Sequence, residues 1–301
     1  MDAYSLDQFR VFVAVADEGG FAPAARRLNR AQSAITYAIQ NLEEASGVAL
    51  FDRSGYRARL TEAGEALMPR ARRLLADVAD FALLAKGVGQ GLEAELSLVI
   101  DAFAPLAPVV TALADFQAKF PSVRLRLATE SLSAVLELLS QGECDLALAP
   151  NLMPAMSGFE RRACGRIDLI PVAAPGHTLA LADEPLTPER LSDHTQLVLS
   201  ARPPSGMRRE FGVHAVNRWR VADLEVKLAM LLAGIGWGTM PSHRIADELA
   251  AGRLVELKPT TWEGSNELPN FRLVVAHRRD RALGPAGRWL FERLAVEETA
   301  G

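Results

Sequence analysis

The sequence predicts a mixed α/β protein in three parts: a small, mainly helical head, one long helix, and a two-lobed α/β body. Three observations carry that expectation. Apolar residues recur at helical spacing from Ser5 to Gly47, a seven-residue apolar repeat follows from Glu62 to Gly87, and beyond Gly91 strand-like and helix-like segments alternate. With 301 residues, 49% of them hydrophobic, and neither low-complexity stretches nor internal repeats, the chain is long enough for two or three domains with cores of their own.

The head begins with Ser5 and Gln8, spaced as a capping box, opening a helix that turns Leu6, Phe9, Phe12, Val13 and Ala16 inward until Gly19-Gly20 stop it. A short second helix has Pro23 in its first turn and Ala24, Ala25 and Leu28 inward; the paired alanines let two backbones approach closely. From Ala31 to Glu44 a third helix has two faces. Ile35, Ala38, Ile39 and Leu42 form an apolar stripe, while Gln32, Ser33, Thr36, Tyr37 and Gln40 form a ridge of uncharged hydrogen-bonding groups. A solvated face normally carries Lys and Glu. Gln, Ser, Thr and Tyr on one ridge are groups that read base edges and phosphates, so this ridge is expected to enter the major groove of DNA, the plain alternative being a polar face that lacks charge.

After Gly47, the stretch from Leu50-Phe51 to Leu60 predicts two short strands around Ser54-Gly55, with Arg53, Arg57 and Arg59 on the hairpin. Three short helices and a basic wing make a winged helix-turn-helix, the wing arginines suiting phosphates or a narrow minor groove. Arg26, Arg27 and Arg30 extend the candidate patch, although runs of arginine are commonly just solvated. The overall net charge of −4 is no objection, because groove contact needs only a local patch.

Thr61 can cap the long helix, and Glu62 and Glu65 suit the positive end of its dipole. Leu67, Ala71, Leu74, Val78, Phe81 and Ala85 form a heptad seam that wants a partner, so a homodimer is expected; Pro69 should kink the helix or remove one hydrogen bond. Gly87, Gly89 and Gly91 form a joint. Beyond it, strands are predicted at 96–100, 123–129 and 145–149 around helices at 108–120 and 132–141, which implies a parallel sheet. A second set comprises strands at 167–173, 197–199, 237–240 and 254–257 and helices at 223–233 and after Pro241. A final strand at 271–276 and a helix at 285–294 close the chain.

The ordered pattern Leu6, Phe9, Val13, Phe21, Ala24-Ala25, Leu28, Gln32, Ala34, Leu42-Glu43, Gly47, Leu50-Phe51, Arg53, Leu60-Thr61, Gly64 resembles the amino-terminal domain of LysR-type transcriptional regulators, from residue 5 to about 65. The chain departs from that pattern at Gly20, Ala22 and Ala31, where the family usually has Ser or Thr, and at Ser33, where it usually has Pro; Ala31 removes a helix cap worth about 1 kcal/mol. The α/β body is similar to the family's effector-binding domain, itself similar to periplasmic binding proteins. The resemblance implies a DNA-binding domain at 1–61, a linker and dimerisation helix with its hinge at 62–90, and an effector-binding domain at 91–301. Its chain would cross between lobes near Cys164 and Asn266, giving lobe I about 91–164 and 266–301 and lobe II about 165–265. It further implies double-stranded promoter DNA, RNA polymerase, a small-molecule effector and a second copy as partners, with dimers pairing into tetramers in many members.

Ligands of such two-lobed bodies lie at the carboxyl ends of strands. The candidates are Asp101 and Phe103, then Thr129, Glu130 and Ser131, then Pro150 and Asn151, then Ser200 and Arg202, with Trp237 opposite. Family effectors are often small carboxylates, which Asp101 and Glu130 would repel unless Arg202 offsets them. A neutral or amphoteric aromatic effector, stacked on Trp237 or Phe103 and bonded to Asp101 or Glu130, is therefore expected.

An enzyme finds little support. Gly236 and Gly238 are a fragment of a dinucleotide loop, phosphate-loop and nucleophile-elbow motifs are lacking, and His177, His194, His214, His243 and His277 lack metal-ligand spacing, so no cofactor or metal is expected. Cys144 and Cys164 suit buried small hydrophobes; a thiol sensor would need their sulfurs within bonding distance. Early charges at Asp2, Asp7 and Arg10 argue against a signal peptide, and the longest uncharged run, Leu228 to Pro241, is too short to span a bilayer, so a cytoplasmic protein without membrane contact is expected.

Overall fold

The computed structural model describes residues 4–52, 58–131, 133–151, 156–200, 212–262, 265, 268 and 270–295. They fall into two compact units, Met1–Lys86 and Gly87–Gly301, each with its own core.

The first unit contains α1 (Leu6–Glu18), α2 (Phe21–Leu28), α3 (Gln32–Ser46), the antiparallel pair β1 (Phe51–Asp52) and β2 (Arg59–Leu60), and most of α4 (Glu62–Gly89). Ser5 and Gln8 satisfy each other's amides as a capping box opening α1. Phe12 and Val15 of α1, Ala24 and Ala25 of α2, Ile35, Ile39 and Leu42 of α3, and Leu50 and Phe51 close one core. Met68 and Ala71 of α4 complete it. The first turn of α4 lies so close to the chain at Leu50 that a Cβ on Gly64 would stand 2.3 Å from the Leu50 carbonyl oxygen. The expected seam is thereby corrected: Ala71, only 2% exposed, packs on its own domain, because α4 buries one face there before its apolar residues run free. Leu67, Leu74 and Phe81 stay exposed. The helix is continuous through Pro69.

The second unit opens with β3 (Glu95–Asp101), α5 (Leu106–Lys119), β4 (Arg124–Glu130), α6 (Ser133–Gln141) and β5 (Leu146–Pro150). β3 pairs in parallel with both β4 and β5. Side chains alternate as a two-sided sheet requires: Leu96, Leu98 and Ile100 join the core holding Phe116 of α5 and Phe291, whereas Val99 joins the cluster under α6. Next come β6 (Phe159–Ala173), α7 (Pro188–Ser192), β7 (Gln196–Leu199), β8 (Arg218–Val221), α8 (Leu224–Leu232), β9 (Gly238–Pro241) and a 3-10 turn at Ser242–Arg244. The chain then forms α9 (Ala246–Ala250), β10 (Val255–Glu256), β11 (Asn270–Arg278) and α10 (Pro285–Leu294).

The sheet runs β10-β6-β11-β5-β3-β4, with β9 also on β6; its β4, β3 and β5 part is parallel, as expected for that segment, and the remaining pairings are antiparallel. β11 lies antiparallel to β5 and β6 antiparallel to β11, because strands that leave a lobe and return must run in opposite directions. The first part of β6, to Asp168, pairs with β11; from Leu169 onward it pairs with β9 and β10. Cys164 sits at a register shift inside this single strand, opposite Leu273 and Val274, and Asn266 lies outside the described residues. β8 escaped sequence reading because Arg218, Trp219 and Arg220 are exposed and only Val221 is buried, so there is no apolar alternation to detect. Gly236 and Gly238 are packing residues: a Cβ on them would meet the carbonyl oxygens of Thr195 at 2.4 Å and Leu197 at 2.6 Å. Among the described residues no helix is long and apolar enough to cross a membrane.

Lys227 of α8 is 1% exposed, its Nζ donating to the Thr239 carbonyl of β9 at 2.7 Å. Burial depresses its pKa from 10.5 to about 7. Between those two values the unfolded chain holds the proton more tightly than the folded one, so stability should rise with pH across that window and be lowest below it. Lys227→Met should remove the rise and stabilise the protein at pH 6 by a few kcal/mol, roughly what such a pKa difference implies. Thermal unfolding between pH 6 and 10 checks this; parallel pH profiles for the two proteins would refute it.

Candidate nucleic-acid interface and ligand cleft

On α3 the apolar stripe is sealed, with Ile35 and Ile39 at 0% exposure, and the polar ridge faces outward. Gln32, Ser33, Tyr37 and Gln40 are exposed, Tyr37 by 66%, while Thr36 is half-buried and donates its hydroxyl back to the Gln32 carbonyl at 3.0 Å. Ala31 begins the helix without a side-chain cap, as its lack of a hydroxyl implies. Sequence reasoning missed what orients this helix against the hairpin. The Glu43 carboxylate accepts from the Leu50 and Phe51 amides, at 2.7 and 3.2 Å, and so fixes the start of the wing.

The basic patch is more committed than a count of arginines suggests. Arg30 pairs with Asp7 at 2.7 Å, and Arg27 with Asp17 at 3.4 Å and Glu18 at 3.2 Å. Arg26 is exposed on α2 and Arg59 on β2. Arg53 and Arg57 lie outside the described residues.

In the second unit a cavity of about 250 Å³ opens at the carboxyl ends of β3 and β4. One wall brings together four predicted residues, Asp101, Thr129, Glu130 and Ser131; the other is Ala222, Asp223, Leu224, Glu225 and Arg244. Asp101 is 1% exposed and accepts from the Phe103 amide at 2.9 Å. Asp223 caps α8 through the Glu225 and Val226 amides, and Arg244 forms an ion pair with Glu225. His243, beside Arg244, hydrogen-bonds the backbone of Ala104 on the opposite wall; burial lowers its pKa and that bond partly offsets the effect.

Five expected ligand residues do not line this cavity, among them Pro150, which pairs with Leu273 at the end of β5. Trp237 is wholly buried, its indole Nε1 donating to the Leu191 carbonyl at 3.1 Å and its ring set edge-on to Trp262, so it offers a ligand no face. It stands immediately before β9, which starts one residue later than expected. Phe103 is 4% exposed and belongs to the lobe core. Asn151 and Ser200 lie elsewhere, their amides bonded to the Arg272 and Val221 carbonyls. Arg202 lies outside the described residues. Asp223, Glu225 and Arg244 went unnoticed because each looks like a helix start or a solvated turn; only the facing of two lobes makes them neighbours.

A second cavity, of about 240 Å³, lies at the opposite ends of β3 and β5. Its charges are structural: Glu93 accepts from the Ala286 and Gly287 amides that start α10, and Asp145 accepts from Ser97 and pairs with Arg281. Burial pushes both Cys144 and Cys164 up to about 12, and they lie in different hydrophobic clusters, so neither is a ready thiolate.

Residues 6–65 match the family model of bacterial regulatory helix-turn-helix proteins of the lysR family, and residues 89–297 match the LysR substrate binding domain. The chain is 33% identical over 299 residues to the probable HTH-type transcriptional regulator YhaJ of Escherichia coli (strain K12), covering 97% of this chain and 96% of that one. It is 28% identical over 298 residues to the HTH-type transcriptional regulator PunR of the same organism, covering 98% and 93%. Among solved structures, a hydrogen-peroxide-bound cysteine-to-serine mutant of Corynebacterium glutamicum OxyR has the same fold, with a TM-score of 0.54 at 24% identity, covering 96% of this chain and 94% of that one. Full-length LysG of C. glutamicum with bound effector Arg does too, at a TM-score of 0.51 and 22% identity over 97% of both chains. The chain belongs to the LysR family: it is a DNA-binding transcriptional regulator with an effector-binding domain, not an enzyme.

Proposed function

We propose that this regulator acts in the cytoplasm as a dimer, and as paired dimers, which place two α3 ridges in successive major grooves of promoter DNA and alter contact with RNA polymerase when the cleft is occupied. The observation that carries the DNA reading is the uncharged ridge itself, exposed along a helix whose other face is sealed. Residues 1–61 would bind DNA, 62–90 dimerise and 91–301 take the effector. The dimer is supported by Leu67, Leu74 and Phe81, which leave an apolar line along α4 that water penalises and a second copy would cover. Two ridges at a fixed separation read a two-part site, where one reads only a few base pairs.

The effector is proposed to be small and neutral or amphoteric, with a hydrogen-bond donor or amine received by Asp101 or Glu130. Among the described residues, four carboxylates line the cavity against one arginine, itself paired to Glu225, and this set would repel a simple dicarboxylate. If the effector carries a ring, its support is the aliphatic surface of Leu106 and Leu224, since Trp237 and Phe103 are enclosed. At about 250 Å³ the cavity is smaller than the roughly 300–1,000 Å³ of typical ligand sites, which favours a compact molecule.

Gln32→Ala or Tyr37→Ala should reduce discrimination between promoter and random DNA by about 1–3 kcal/mol for each lost base contact while leaving the oligomer intact. Binding titrations paired with light scattering measure both, and a loss of oligomerisation alone would place the ridge at a protein interface instead. For the cleft, a thermal-shift screen should pick out amphoteric or amine-bearing compounds, and their stabilisation should shrink in Glu130→Gln, which removes one of the two receiving charges. Stabilisation by simple dicarboxylates only would overturn the assignment.

A further inference from the structure

The first turn of α1 and the turn that enters α3 are joined by the Asp7 to Arg30 pair, 2.7 Å apart on the surface of the head. The position of Arg30 is set by backbone. Asn29 closes α2 in the left-handed conformation at φ 54°, and the Arg30 amide donates to the Ala25 carbonyl at 2.9 Å. Asp7 raises the pKa of Arg30 through their hydrogen bond and their charges. The pair belongs to a wider arrangement. Asp17 holds Arg27 of α2 and Arg72 of α4, and Glu18 holds Arg27 as well, so α1 supplies carboxylates to arginines from three other segments.

We propose that Asp7 is a specificity-determining residue for DNA: it occupies the arginine nearest the start of the recognition helix, so Arg30 reaches a phosphate only by giving up a carboxylate. Sequence-independent affinity comes from cations that neutralise phosphates and release counterions. An arginine that merely exchanges one anion for another adds little to that affinity. The ratio between specific and non-specific binding, which decides occupancy of a genome, is then left to the uncharged ridge. Exposed ion pairs are weak, so the exchange is open to a correctly placed phosphate and the contact is not abolished. The inference rests on the ridge lying in the groove, as proposed above.

The test compares the full-length protein with Asp7→Asn, Glu62→Gln and the double variant Asp7→Asn/Arg30→Ala, on a random-sequence duplex and on a genomic fragment the wild-type protein enriches, across a salt series. Asp7→Asn should bind the random duplex several-fold more tightly at low salt. Its slope of log affinity against log salt should steepen, by up to about 0.9, the value for one full added phosphate contact. The ratio between fragment and random duplex should fall. The double variant should return to the wild-type slope. Glu62→Gln removes an exposed carboxylate of α4 that holds no arginine among the described residues, so its slope should not change. An unchanged or shallower slope for Asp7→Asn overturns the proposal, as does equal steepening in Glu62→Gln, which would make total charge the cause. If the wild-type protein enriches no genomic fragment over random DNA, the groove assignment fails along with it; if it binds both duplexes and Asp7→Asn behaves identically, only the role of Asp7 fails.

Discussion

The antiparallel ladder between β6 and β11 is the interaction on which the effector-binding body depends. β11 joins the sheet of lobe I through β5, while β6 pairs with β11 over its first part and with β9 and β10 over its last. One fifteen-residue strand thus pairs with strands of both lobes, and a single buried cluster runs along it, from Leu96 and Phe116 through Ile167 and Leu169 to Met240 and Leu254. A break in this ladder would leave each lobe with an unpaired edge, which is why the crossing is made by strand and not by loop. The register shift at Cys164 lets the strand bend without losing its pairing. With the strands of lobe I running as they do, the carboxyl ends of β3 and β4 have to open toward lobe II, and the cavity follows from topology.

Lobe II presents its wall through two elements, the start of α8 and the turn after β9. Lys227 ties them together from below, its ammonium nitrogen on α8 and its acceptor on β9. A buried lysine costs stability near neutral pH, so a position filled by Lys where Leu or Met would pack is a local conflict of the kind that accompanies functional elements. The head shows the same logic at its surface. α3 is anchored beneath by Ile35, Ile39 and Leu42, at its end by Glu43 on the wing, and α4 is held by Met68 and by the Arg72 to Asp17 pair. Nothing charged is spent on the ridge itself, which explains how a chain of net charge −4 can present a groove-reading surface.

Legibility in the sequence followed the range of the interactions involved. α1, α2 and α3 were readable because their causes are local: a capping box at Ser5, stop signals at Gly19 and Gly47, and apolar residues every three or four positions. The β-α-β-α-β of lobe I was readable for the same reason. Strand direction was not, since alternation along β6 and β11 is identical whichever way they run. Ala71 was assigned to the wrong partner because one heptad pattern serves both a coiled coil and a helix lying on its own domain. Trp237 was misplaced because an aromatic near a strand end looks the same whether it faces a cleft or fills a core. Asp223, Glu225 and Arg244 carry no local signature of a site, and their meeting with Asp101 and Glu130 is a property of the folded lobes alone.

That meeting also bears on how occupancy could be felt elsewhere. A ligand moves two lobes only by the difference between its affinities for their arrangements. Asp101 and Glu130 stand on one wall, Asp223 and Glu225 on the other. Asp223 is partly satisfied by the amides it caps, and Glu225 by Arg244. Bringing the walls together therefore presses residual negative charge on one side against residual negative charge on the other, a cost that grows as water leaves the gap. A donor-bearing ligand between the walls replaces that repulsion with attraction to each. Its binding energy then depends steeply on the distance between the lobes, while contacts confined to one wall would bind equally in every arrangement and move nothing.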